Sequence, residues 1–197
     1  MRQNLFHKIL MKALMCLSLV LLCACEESDK PPLVFIDDSQ IARWDVESYF
    51  PMAETRNHGL SGSGVQWLEE NANIAAGEPI VVLSATNDLA HMHENELEAY
   101  IDRYLKAVCN LGEGRLIIIS VLPRSTELDP LGKANALVAK FNAKIKERVQ
   151  AFERITYCDV FDDFAIDGRL NMNFSFDGLH PNQYGYEILA KKVKELL

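Results

Sequence analysis

The sequence holds no basic cluster of the kind that tracks a phosphate backbone. With 20 Lys and Arg against 28 Asp and Glu, its formal charge is −8, so nucleic acid is excluded as a partner. It shows no internal repeat and no low-complexity segment, which excludes solenoids and disordered scaffolds. Its one long apolar stretch, Ala13 to Leu22, is too short and too early to span a bilayer. Cysteine is sparse, with five in 197 residues, and three of these precede residue 26.

That apolar stretch follows the basic residues Arg2, Lys8 and Lys12, the order of a secretory signal peptide. Its end, Leu22-Cys23-Ala24-Cys25, resembles the lipobox of bacterial lipoproteins. The resemblance implies cleavage after residue 24, a lipid on Cys25 and attachment to a membrane. Glu26 after the cysteine implies the outer membrane, by the same resemblance. The alternative is an ordinary secretory signal with an incidental cysteine. Residues 25–32 read as a polar tether. Cleavage removes three positive charges and no acidic ones, which takes −8 to about −11. It also leaves Cys109 and Cys158, which either pair in an oxidising compartment or stand apart as small apolar side chains.

Residues 33–197 suffice for one domain and not for two. Apolar runs of strand type at Leu33–Asp37, Pro79–Ser84, Arg115–Val121 and Arg154–Cys158 alternate with helical patterns. A further short strand is expected within Phe50–His58. Apolar positions recur at helical spacing over Glu94–Leu111 and Leu131–Phe152, more weakly over Gly64–Ala75, and again from Gly185 to Leu197. Alternating β and α elements predict an α/β fold in three layers, α/β/α, around a central parallel sheet. Pro123–Pro130 and Asp162–Ser175 read as loops, the second leading into Asp177.

The chemistry-bearing residues sit at the ends of these runs. Asp177 stands three residues before His180, a carboxylate placed to orient an imidazole, and histidine is the side chain that exchanges protons near neutral pH. The bland alternative is a turn capping the last helix. Ser39 follows the first strand, where open parallel sheets place their ligands. His91-x-His93 suggests a metal, but it precedes a helix and has no third ligand at metal spacing.

Four segments, Asp37-Asp38-Ser39, Asn57-His58-Gly59-Leu60-Ser61-Gly62, Ala85-Thr86-Asn87-Asp88 and Asp177-Gly178-Leu179-His180, occur in an order that resembles the SGNH (GDSL-like) hydrolase family. Phe35 to Trp44 and Leu122-Pro123-Arg124 are similar to the platelet-activating-factor acetylhydrolase-like and sugar-acetate esterases within it. The resemblance implies a flavodoxin-like SGNH hydrolase fold and a serine esterase with Ser39 as nucleophile, His180 as base and Asp177 as its orienter. It also implies an oxyanion hole made by Ser39, Gly59 and Asn87. Such chemistry needs no metal and no cofactor, and its substrate is a small-molecule or glycan ester. Asp38 and Asp88 read as turn-holding residues. Two positions depart from the family: Asp37 and Ala85 stand where its pattern has glycine. An aspartate there adds bulk at a tight turn and, if ionised and pointed inward, a charge opposing the oxyanion. That departure motivates an alternative reading, a weakened or inactive relative that binds a glycan; the other alternative, within the same chemistry, is a lysophospholipase or thioesterase-type acyl hydrolase.

Overall fold

The structure, a computed structural model, describes residues 30–197. The expected signal peptide, Cys25 and most of the tether lie outside the described residues. The elements run β1 (Pro32–Asp37), α1 (Ser39–Ala42), α2 (Val46–Tyr49), β2 (Glu54–Gly59), α3 (Val65–Glu70), β3 (Ile80–Leu83), α4 (Thr86–Leu89) and α5 (Leu97–Cys109). They continue with β4 (Leu116–Ile119), α6 (Lys133–Arg148), β5 (Ile155–Cys158), α7 (Phe161–Phe164), β6 (Ala165–Ile166), β7 (Arg169–Leu170) and α8 (Gln183–Leu196).

Five strands form one parallel sheet in the order β2-β1-β3-β4-β5. Residues 33–36 of β1, Ile80–Leu83 of β3 and Leu116–Ile119 of β4 are apolar without interruption because both faces are covered. Val34, Ile36, Ile80, Val82, Leu116 and Ile118 face α3, α5 and α6. Leu33, Phe35, Val81, Leu83, Ile117 and Ile119 face the opposite layer, which includes α8. This is the doubly wound order in which the winding reverses between β1 and β3, and the crevice for a ligand opens there, at the carboxyl ends of the strands. Residues 39 and 87 follow those two strands.

The α5 periodicity selects the buried stripe Leu97, Ile101, Tyr104, Leu105 and Val108. Along α6 the stripe is Leu137, Val138, Phe141 and Ile145. The structure corrects several boundaries. The helix expected over Gly64–Ala75 ends at Glu70, where Asn71 turns its amide back to the carbonyl of Trp67 (2.8 Å). The last helix starts two residues early because Asn182 caps it, accepting the N–H of Gly185 at 3.1 Å. Asp162–Ser175 holds α7, the hairpin β6–β7 and a 3₁₀ turn. The hairpin turns on Asp167-Gly168, both at positive φ (51° and 71°), the type I′ geometry that Asp-Gly favours. Among the described residues Cys109 and Cys158 form no disulfide, and they belong to the cores on opposite faces of the sheet.

Candidate active site

The helix α1, which begins with Ser39, is only four residues long and is held from outside. Asp38 caps it, its carboxylate accepting the N–H of Gln40 at 2.8 Å. The Asn57 amide donates to the carbonyls of Ile41 and Trp44 (2.9 and 3.0 Å), which fastens the end of α1 to β2. Tyr186 donates its hydroxyl to the carbonyl of Gln40 at 2.8 Å and stacks on Trp44, with ring centroids 5.5 Å apart. Gly59 lets β2 run this close. A Cβ there would stand 2.2 Å from the backbone nitrogen of Ala42, so any side chain would push α1 away.

The segment before α8 brings the other groups. Gly178 adopts φ +84°, and a Cβ on it would lie 2.3 Å from Ser125 Oγ, so the turn requires glycine on both counts. Ser175 donates its hydroxyl to the carbonyl of His180 at 2.7 Å. Gln40 donates to the carbonyl of Leu179 at 3.0 Å, so a side chain on α1 also secures the histidine turn. Asp177 Oδ1 accepts the N–H groups of Leu179 and His180 (3.1 and 2.9 Å), and its Oδ2 lies 2.8 Å from His180 Nδ1. Since Asn182 is the cap of α8, Asp177 is free of that duty.

Ser39 Oγ stands 2.8 Å from His180 Nε2 across 141 residues of sequence. With the proton on Nδ1 shared toward Asp177, Nε2 presents a lone pair to the serine hydroxyl. Desolvation alone would raise the Asp177 carboxyl. The backbone N–H and ring of His180, with the N–H of Leu179, overcome it and hold the pKa at about 2, so the carboxylate stays ionised. Arg43 Nη1, 3.7 Å away and half exposed, adds little.

The four-residue helix α4 carries the third segment. Arg124, packed against the core, donates to the carbonyl of Thr86 at 2.5 Å. Asp88 accepts the N–H of Val65 and the hydroxyl of Tyr100 (2.8 and 2.7 Å), the turn-holding part expected of it. One N–H of the Asn87 amide goes to the carbonyl of Ser63 at 2.7 Å, which leaves its second N–H. The N–H of Gly59 donates to Asn57 Oδ1 at 2.9 Å.

Asp37 and Ala85 are both fully buried, at φ 120° and 83°, left-handed conformations that favour glycine. Burial disfavours the charged form of the Asp37 carboxyl. Burial, then the neighbouring Asp38, pushes its pKa well above the carboxylate range, and it accepts the hydroxyl of Ser63 at 2.7 Å. Asn57, Ser63, Gln40 and Tyr186 carried no assigned role in the sequence. Their only signal was membership of, or proximity to, the stretches that resemble the family. His91 and His93 stand outside this constellation, the Glu96 side chain accepting the N–H of His93 at 2.7 Å. Among the described residues no group of three His, Cys, Asp or Glu is placed to hold a metal ion.

A doubly wound sheet with a hydrogen-bonded serine, histidine and aspartate at its switch point is the frame of a serine ester hydrolase. The family model for the GDSL-like lipase/acylhydrolase family matches residues 39–188, and the chain belongs to that family. It is 26% identical over 188 residues to the alpha2 subunit of platelet-activating factor acetylhydrolase IB from Rattus norvegicus, an alignment covering 88% of this chain and 78% of that protein. A solved structure from Streptococcus pneumonia, described as a platelet activating factor, superimposes with a TM-score of 0.72 at 22% identity, covering 87% and 86% of the two chains. An acetylxylan esterase from Geobacillus stearothermophilus superimposes with a TM-score of 0.61 at 17% identity, covering 84% of this chain and 93% of its own.

Proposed function

We propose that this protein is a serine esterase that removes an acyl group, acetyl in the first instance, from an oxygen of a carbohydrate ester in the cell envelope, where a lipid on Cys25 anchors it to the outer membrane. The observation that carries the reading is the continuous chain from Ser39 Oγ through His180 to Asp177, with 2.8 Å at both links. Ser39 Oγ attacks the acyl carbonyl as its proton passes to His180 Nε2. The carbonyl oxygen, now an anion, is received by the N–H groups of Ser39 and Gly59 and by the second N–H of Asn87. The tetrahedral intermediate collapses, His180 returns the proton to the departing alcohol, and water repeats the sequence on the acyl-enzyme.

Two similar proteins support acetyl as the acyl group, since one is named an acetylhydrolase and the other an acetylxylan esterase. The sugar follows from the envelope location that the lipobox-like ending of the leader implies. Asp37 is no obstacle, because a carboxyl whose burial favours the uncharged acid, bonded to Ser63, does not oppose an oxyanion.

The test is acetate release by the purified protein from an acetylated glycan, with 4-nitrophenyl acetate and a lysophospholipid alongside, each beside Ser39→Ala. Release from the glycan that requires Ser39 is the expected result. Turnover of the lysophospholipid alone would assign a lipolytic acyl hydrolase, and glycan binding without release would make the protein a non-catalytic relative. For the anchor, Cys25→Ala should move the protein from the membrane to the soluble fraction, and unchanged sedimentation would refute it.

A further inference from the structure

We propose that Asp37 and Ser63 are positioning residues for the oxyanion hole: the Asp37 carboxyl holds the Ser63 hydroxyl, so that the Ser63 carbonyl holds the Asn87 amide with its second N–H turned to the reacting oxygen. This rests on the reading of Asn87 as an oxyanion donor.

A primary amide on a single rotatable arm offers two N–H donors and one carbonyl, and a half-turn exchanges them. An oxyanion hole needs the donor end, so some acceptor must take the other N–H. The Ser63 carbonyl takes it at 2.7 Å. That acceptor lies on the segment between β2 and α3, in which Leu60, Ser61 and Gly62 are exposed and Gly62 has φ +82°. Three bonds brace the segment. The N–H of Leu60 donates to the Asp37 carbonyl at 2.6 Å, the Ser63 hydroxyl to Asp37 Oδ1 at 2.7 Å, and the N–H of Val65 to Asp88 Oδ2 at 2.8 Å. The middle bond is the one that reaches the residue whose carbonyl matters.

The geometry also explains why an aspartate stands at φ 120°. Glycine would fit the backbone with less strain, but it would leave the Ser63 hydroxyl without this partner. Among the described residues Asp37 Oδ2 has no hydrogen-bond partner and the side chain is fully buried, and Ser63 is the one hydrogen-bonding contact of this carboxyl there. The aspartate therefore keeps a strained conformation and an incompletely paired carboxyl in exchange for a fixed loop. Strain of this kind persists where the surroundings hold it, characteristically beside functional groups.

The two roles separate in measurement. If Asp37 were only a misfit, Asp37→Gly would raise the melting temperature and leave kcat alone or raise it. As a positioning residue, Asp37→Gly raises the melting temperature and lowers kcat by roughly ten- to a hundredfold with KM little changed, the pattern of a lost transition-state contact. Ser63→Ala, which keeps the backbone carbonyl, should lose as much. The double variant should be no worse than either single one, because both break the same link. Ser63→Thr and Asp37→Asn retain the hydroxyl and the acceptor oxygen and should recover most of the rate. The assay is 4-nitrophenyl acetate turnover by the full-length purified protein, with melting curves establishing that each variant folds. Asn87→Ala sets the scale. If it leaves kcat at the wild-type value, the oxyanion reading fails and the positioning argument falls with it. If Asn87→Ala is slow while Ser63→Ala and Asp37→Gly run at the wild-type rate, the oxyanion reading stands and the positioning role is overturned.

Discussion

Replacing Asp38 by Asn tests the electrostatics beneath Ser39. Asp38 is fully buried and caps α1. Burial raises its carboxyl from 3.8 to about 6, against the lowering effects of the Gln40 N–H and the Arg124 charge. The native state therefore holds the proton more tightly than the unfolded chain. The group's contribution to stability is greatest below pH 3.8, falls as pH rises, and is at its least above pH 6. A shift of about two units corresponds to about 3 kcal/mol. Asparagine keeps the oxygen that accepts the Gln40 N–H and carries no charge. The difference in unfolding free energy, variant minus wild type, should thus rise by about 2 kcal/mol between pH 4 and pH 6 and level off above pH 7, roughly 4 to 8 °C in melting temperature for a chain of this size. Taking the difference removes carboxylates that titrate the opposite way, Asp177 above all. Urea unfolding at half-unit steps from pH 4 to pH 8 measures it. A level difference, or an Asn variant that loses ground as pH rises, would refute the argument.

Gly59→Ala should cost several kcal/mol and most of the activity, since its Cβ meets the Ala42 backbone at 2.2 to 2.5 Å, atoms that cannot rotate aside; a wild-type melting curve would show that β2 and α1 are less closely packed. Tyr186→Phe keeps the stacking on Trp44 and loses the bond to the Gln40 carbonyl. It should cost about 1 kcal/mol with a small fall in kcat, and chemical denaturation decides. Asp177→Asn removes the charge that holds the imidazole tautomer and should lower kcat roughly 10³- to 10⁴-fold with KM nearly unchanged. A loss below tenfold would mean that the backbone bonds around His180 orient the ring without the carboxylate.

What could be read in the sequence follows from how each element is stabilised. The strands β1, β3 and β4 are apolar on both faces, and α5 and α6 run long enough to show a stripe, so their pattern records their packing. The helices α1, α2, α4 and α7, of four residues each, are shorter than the period that would betray them. Two of them, α1 and α4, have backbone carbonyls held by side chains from other elements, Asn57 and Tyr186 on α1 and Arg124 on α4. Ser39, Gly59, Asn87, Asp177 and His180 could be named because four segments in order resemble a family, and the structure brings Ser39, Asp177 and His180 into one hydrogen-bonded chain. The supporting polar residues could not be named, because nothing in a chain distinguishes the serine whose carbonyl orients an amide from one that faces water.

Asp37 is the instructive position. In the sequence it reads as a defect, a charge and a side chain where glycine is expected, and that is what motivates an inactive relative. In three dimensions the same residue is desolvated, favours its uncharged form, and has Ser63 within 2.7 Å. Whether a departure from a family pattern weakens a site thus depends on what the new side chain finds to bond. Ala85, the other departure, has a positive φ and a methyl group with no polar contact to make. The two substitutions bear the same kind of backbone strain, and only Asp37 has a hydrogen-bond partner to set against it.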